Sequence, residues 1–104
     1  MKICVIQNNV INDKLKNLLN INKIVPDSIL KNVDMLILPE FFCFPYDLNN
    51  FINNSEELKE GNLIFNFLKS FSTKYQNLYL VGGSLIEKRG DKFIIHVQYF
   101  IMES

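Results

Sequence analysis

The sequence predicts an α/β protein, a single layered unit in which strands alternate with helices. Three observations carry that expectation. Residues 3–6, 35–38 and 78–81 are short unbroken apolar runs of strand length, the pattern of strands buried in a parallel sheet. Between the second and third of these runs, Ile64, Phe67, Leu68, Phe71 and Tyr75 recur at the spacing of one helix face. After the third run, two glycines and a charged turn lead into another β-branched stretch. The order strand, helix, strand, helix, strand, strand makes the first strands parallel, joined by right-handed crossovers.

Each element has its own local reason. The first strand, KICVIQ, ends at the turn formers Asn8, Asn9 and Asn12. Asn12 or Asp13 is placed to cap a helix in which Leu15, Leu18 and Leu19 share a face, and Pro26 interrupts that helix. Pro26 then opens a second, short helix with Asp27 and Ser28 near its start, ending at about Lys31. Met35, Leu36, Ile37 and Leu38 read as a central strand covered on both faces. Pro39 cannot donate to a sheet ladder, so the chain leaves the sheet there and Glu40 falls at the strand's carboxyl end, where open α/β sheets bind ligands.

Residues 47–60 are polar and Asn-rich and read as a long loop, with Glu56, Glu57 and Glu60 forming a solvated face. The amphipathic helix follows from about Asn62 to Lys74, capped by Gly61 or Asn62. Gly82 and Gly83 permit positive φ or close backbone approach, but the spacing of a dinucleotide or phosphate loop is lacking. Residues 88–92 form a turn centred on Gly90, and residues 93–102 are expected as one long strand paired with the third as a hairpin.

Composition bounds the function. The chain has 104 residues, 48% of them apolar, and its 11 basic residues balance 11 acidic ones. It is one domain or part of one, folded, and without a bulk field to draw it to nucleic acid or to a membrane surface. Alanine is absent while Asn, Ile and Lys abound, which lowers the weight of any single Asn in the argument. No apolar run approaches the roughly 20 residues of a membrane span, and no basic and apolar leader is present, so a cytoplasmic location is expected. Two cysteines are too few for a disulfide framework and have no metal-ligand spacing. Cys4 belongs to the first strand's core. Cys43 stands three positions from Glu40, yet no His lies nearby to activate it, so it reads as structural. His96, the one histidine, sits in a strand, packed or facing solvent. Neither a Ser-His-Asp set nor a basic, aromatic nucleic-acid surface can be assembled.

Glu40 has Phe41, Phe42, Phe44 and Tyr46 beside it in sequence, and a carboxylate shielded from water by rings is suited to proton transfer near neutrality. The pattern L-P-E-x-F-x-x-P-Y, formed by Leu38, Pro39, Glu40, Phe42, Pro45 and Tyr46, resembles the first catalytic block of the nitrilase superfamily of carbon-nitrogen hydrolases, closest to its ω-amidase branch. The segment VGGSLIEKRGDKFIIHVQYF also resembles that family, so the likeness runs along most of the chain.

The resemblance implies several things. The fold would be the N-terminal part of a four-layer αββα sandwich, with residues 1–104 one portion of a hydrolase domain. In the family a Cys attacks the amide or nitrile carbon, a Glu acts as general base and a Lys stabilises the tetrahedral intermediate. Glu40 takes the base role, and Tyr46 is the candidate for shaping the substrate pocket. The implied partner is a small-molecule amide, with no cofactor and with a homodimer as an allowed state. The family's Lys and Cys lie beyond Ser104 in relatives, so the chain is expected to be a fragment, inactive by itself. Two departures stand out: the break at Pro26, and Ile95 and His96 where relatives carry an Asn followed by a small hydroxyl or thiol residue.

Two other readings compete. One is a degenerate, non-catalytic remnant acting as an interaction or dimerisation module. The other is an unrelated flavodoxin-like domain, which requires a parallel fourth strand after Gly83 in place of a hairpin. Under the fragment reading the last strand leaves an apolar edge unpaired, an association hazard.

Overall fold

A computed structural model describes residues 1–75, 77–97 and 100–101, the last two by their backbone only. Strand β1 (Ile3–Val5) leads to helix α1 (Lys14–Ile24), the short helix α2 (Asp27–Leu30) and strand β2 (Met35–Ile37). Helices α3 (Leu48–Asn54) and α4 (Leu63–Lys74) precede β3 (Tyr79–Val81), and β4 (Leu85–Arg89), β5 (Lys92–His96) and β6 (Phe100–Ile101) follow. The protein is therefore a mixed α/β unit. β1, β2 and β3 are parallel neighbours, with Ile3 opposite Met35 and Met35 opposite Tyr79, and β6 closes the sheet antiparallel to β3.

Several expectations are corrected. Residues 47–60 do not form a bare loop: α3 lies within them, because Asp47 caps it by accepting from the Asn50 amide. Glu56 does not belong to a solvated face; it pairs with Lys14 at 2.7 Å and accepts from the Ile64 amide at the start of α4. The stretch from Phe93 is not one strand. Its first part, β5, pairs with β4 across the Gly90 turn, and only β6 reaches β3; the expected extension to Met102 lies outside the described residues. Leu15 and Leu19 do not share a buried face with Leu18: they are exposed, and Asn17, Leu18 and Ile21 point inward.

Because β4 and β5 are antiparallel, the flavodoxin-like alternative, which needs a parallel strand there, is set aside. Asp13, of the two caps considered, accepts the Lys16 amide. The stripe of α4 is buried at every expected position, Ile64, Phe67, Leu68, Phe71 and Tyr75. One core joins it to Leu18 and Ile21 of α1, to Leu36 and Leu80 on the inner face of the sheet, and to Leu85 and Ile86 of β4.

The opposite face of the sheet is another matter. β2 is not covered on both sides: Met35 and Ile37 are half-buried, and on the strands beside them Ile3, Val5 and Tyr79 are 52%, 62% and 47% exposed. Strand side chains alternate between faces, so these residues form two apolar rungs on the side away from the helices.

Candidate active site

The carboxyl ends of the parallel strands converge on one short stretch of chain. Leu38 extends the β2 ladder by donating its amide to the Val81 carbonyl at 2.9 Å, and Pro39 then ends it. Glu40 follows at the tip of an interior strand, and its side chain reaches solvent. Phe41 next adopts φ of 47°, the left-handed region that non-glycine residues seldom occupy. Its amide donates both to the Ser84 carbonyl at 2.8 Å and to Ser84 Oγ at 3.0 Å. Gly83 packs from β3's side with φ of 63°, so close that a Cβ there would lie 2.2 Å from the Pro39 carbonyl oxygen. Gly83 thus serves close backbone approach, and the turn after β3 grips the turn that carries Glu40.

The rings do not enclose Glu40 as expected. Phe42 and Phe44 are 0% and 3% exposed and turn into the core, Phe42 toward Phe67 at 6.3 Å between centroids. Phe41 and Tyr46 pack on each other at 4.5 Å. Tyr46 continues to Phe51 at 5.0 Å and Phe51 to Phe93 at 6.2 Å, an aromatic ladder that leaves Tyr46 57% exposed. Apolar surface is removed from water by burying ring against ring or ring in core, so these rings cover one another and leave the acid in solvent.

Cys43 is a core residue. Burial pushes its thiol well above the ordinary value, and the Glu56 carboxylate adds to that against the opposing pull of Lys14. A thiol so raised is a poor nucleophile. Its carbonyl accepts from the Asn17 amide group at 2.9 Å. Cys4 is half-buried in β1.

Glu87, which sequence reasoning missed, is a buried acid at 2% exposure. Oε2 accepts the Leu58 amide at 2.8 Å, while Oε1 lies 2.9 Å from His96 Nε2 and 3.0 Å from an Arg89 guanidinium nitrogen. Burial pushes its carboxyl up, but the Leu58 amide, His96 and Arg89 together outweigh this and hold it below the ordinary carboxylate value. An ionised carboxylate only accepts, so Nε2 of His96 carries the hydrogen between them. His96 is therefore tied to β4. The available signal was parity: Glu87 shares a strand face with Leu85, an inward position. Ser84 was also missed, though it directly follows the glycine pair.

Beyond the tip of β1, both amide atoms of Asn8 are buried without a hydrogen-bond partner among the described residues. Among the described residues no group of three His, Cys, Asp or Glu is placed to hold a metal ion. No helix among them is long and apolar enough to cross a membrane.

Fold and site together define an α/β unit that presents one acid beyond the carboxyl end of an interior parallel strand. The chain belongs to the carbon-nitrogen hydrolase family, whose model matches residues 2–104. No curated protein matches it.

Proposed function

We propose that residues 1–104 supply the general base of an ω-amidase-like hydrolase acting on a small amide. The observation that carries this reading is the place of Glu40: beyond an interior parallel strand, in a turn gripped by the turn after β3. The ω-amide preference rests on the L-P-E-x-F-x-x-P-Y pattern alone.

In this reading a thiol outside residues 1–104 attacks the amide carbon and Glu40 accepts the thiol's proton. Glu40 passes that proton to the leaving nitrogen, so ammonia departs and a thioester forms; water then attacks the thioester as Glu40 takes its proton, and the acid is released as that proton returns to the sulfur. Tyr46, with its ring half in solvent, forms one wall of the substrate pocket. A lysine outside these residues stabilises the oxyanion. The thiol must come from elsewhere because Cys43 is sealed in the core and Cys4 lies within a strand. The two apolar rungs on the outer face of the sheet suit a second sheet, as a four-layer sandwich would supply.

A second reading, a non-catalytic interaction or dimerisation module, draws support from the same face, on which Ile3, Val5 and Tyr79 are exposed. Purified residues 1–104, assayed on a dicarboxylic acid monoamide, test whether the nucleophile lies elsewhere. The expected rate equals that of the Glu40→Gln control. Hydrolysis above that control overturns the claim that the nucleophile lies elsewhere.

A further inference from the structure

Glu40 cannot set its own direction. It is exposed, and the residue after it, Phe41, is held at φ of 47°, a conformation that persists only where surrounding structure enforces it. The enforcing contacts come from the turn after β3. Ser84 is 4% exposed and offers two acceptors, its carbonyl and Oγ, to the one Phe41 amide. Gly83, beside it, fills the space against the Pro39 and Leu38 carbonyl oxygens, which a Cβ would meet at 2.2 and 2.5 Å. Glu40 is thus flanked by two pinned residues: Pro39, against which Gly83 packs, and Phe41, which Ser84 binds.

We propose that Gly83 and Ser84 are positioning residues for Glu40, fixing the turn at residues 39–41 so that the carboxylate projects beyond the strand tips. The assignment rests on Glu40 being the base, but the geometry it describes can be measured separately. A short strand end followed by a left-handed residue has many alternative conformations, and each would aim the acid elsewhere. Catalytic groups need to be held within a fraction of an ångström. Here the holding is done by backbone and one hydroxyl of the turn after β3.

The test is nuclear magnetic resonance on the full chain. In the unmodified protein the Cα and Cβ shifts of Phe41 should be those of a left-handed residue. Ser84→Ala removes one of two acceptors and should speed exchange of the Phe41 amide by about threefold to tenfold, the range of one weak net hydrogen bond. It should also move the Phe41 and Glu40 signals while Leu36 and Leu80 keep their exchange rates, and Ser84→Thr, which keeps the hydroxyl, should restore them. Extended or right-handed shifts at Phe41 in the unmodified chain overturn the proposal, and this holds even if Ser84→Ala does not fold. So do unmoved Phe41 and Glu40 signals in Ser84→Ala, a change shared equally by Leu36 and Leu80, or failure of Ser84→Thr to rescue. None of these signals depends on turnover. Signals that behave as stated, alongside hydrolysis indifferent to Glu40→Gln in a protein that supplies the thiol, would remove the base assignment and leave the clamp standing.

Discussion

At Glu87 three donors from three directions meet a carboxylate that is 2% exposed. Removing it by Glu87→Ala takes the side-chain acceptor from the Leu58 amide and breaks the contacts to His96 and Arg89, a loss expected to cost about 1–3 kcal/mol in urea denaturation. The group also sets a pH dependence. Glu87 is held below its ordinary value of 4.5, and Asp27 is lowered from 3.8 to about 2, chiefly by the Tyr75 hydroxyl and next by Lys31. For both, the unfolded chain binds protons more readily than the folded one. The stabilisation is therefore complete above the ordinary values and is lost as pH falls through the lowered folded ones. The denaturation midpoint should hold down to about pH 5 and decline toward pH 2, less steeply in Glu87→Gln. Gly83→Ala is the sharpest backbone prediction: positive φ combined with overlap on the Pro39 carbonyl should cost about 2 kcal/mol or more by the same measurement.

The position of Glu40 was legible at this scale because a proline after an apolar strand has one meaning for a ladder. Its exposure was not, since nothing in the order Phe41, Phe42, Phe44, Tyr46 tells which rings turn into the core and which pack on each other. The roles of Ser84 and Glu87 depend on contacts 43 and 29 residues away in the chain, beyond the reach of local pattern.

Among the elements, α4 was readable from end to end because its five apolar positions follow the helical period without interruption. α3 was hidden by its sequence, LNNFINN, in which Asn outnumbers apolar residues and no amphipathic stripe emerges. Its formation depends on the Asp47 cap and on Asn50, which is linked to Asn12 and Asn54. In α1 the leucine spacing suggested one face, but Asn17 takes an inward place to bind the Ile11 backbone and the Cys43 carbonyl, which rotates Leu15 and Leu19 outward. Glu56 joins three elements: it pairs with Lys14 of α1, accepts at the N-terminus of α4, and its backbone pairs with β4 near Glu87. Glu56→Ala should destabilise the fold by about 1–2 kcal/mol, the range of a lost helix cap, with the first turn of α4 losing hydrogen-exchange protection first.

On the scale of the whole molecule, one face of the parallel sheet is packed by helices and the other is apolar and open. Exposed apolar surface of this kind drives association. Sedimentation of residues 1–104 should show oligomers at micromolar concentration, and Val5→Lys combined with Tyr79→Lys should shift them toward monomer without loss of the far-ultraviolet circular dichroism signal. The parallel order of the first strands was legible from their apolar runs, whereas the openness of the outer face was not, because a strand open on one face can carry the same apolar sequence as one covered on both.

The central claim is that Glu40 is the base for a thiol outside residues 1–104. It is tested most directly by the hydrolysis rate of a small ω-amide in the protein that carries the residues following Ser104 in frame, with and without Glu40→Gln. The variant is expected to lose activity by at least about 100-fold, the lower bound for a positioned base. Equal rates in the two proteins would contradict it.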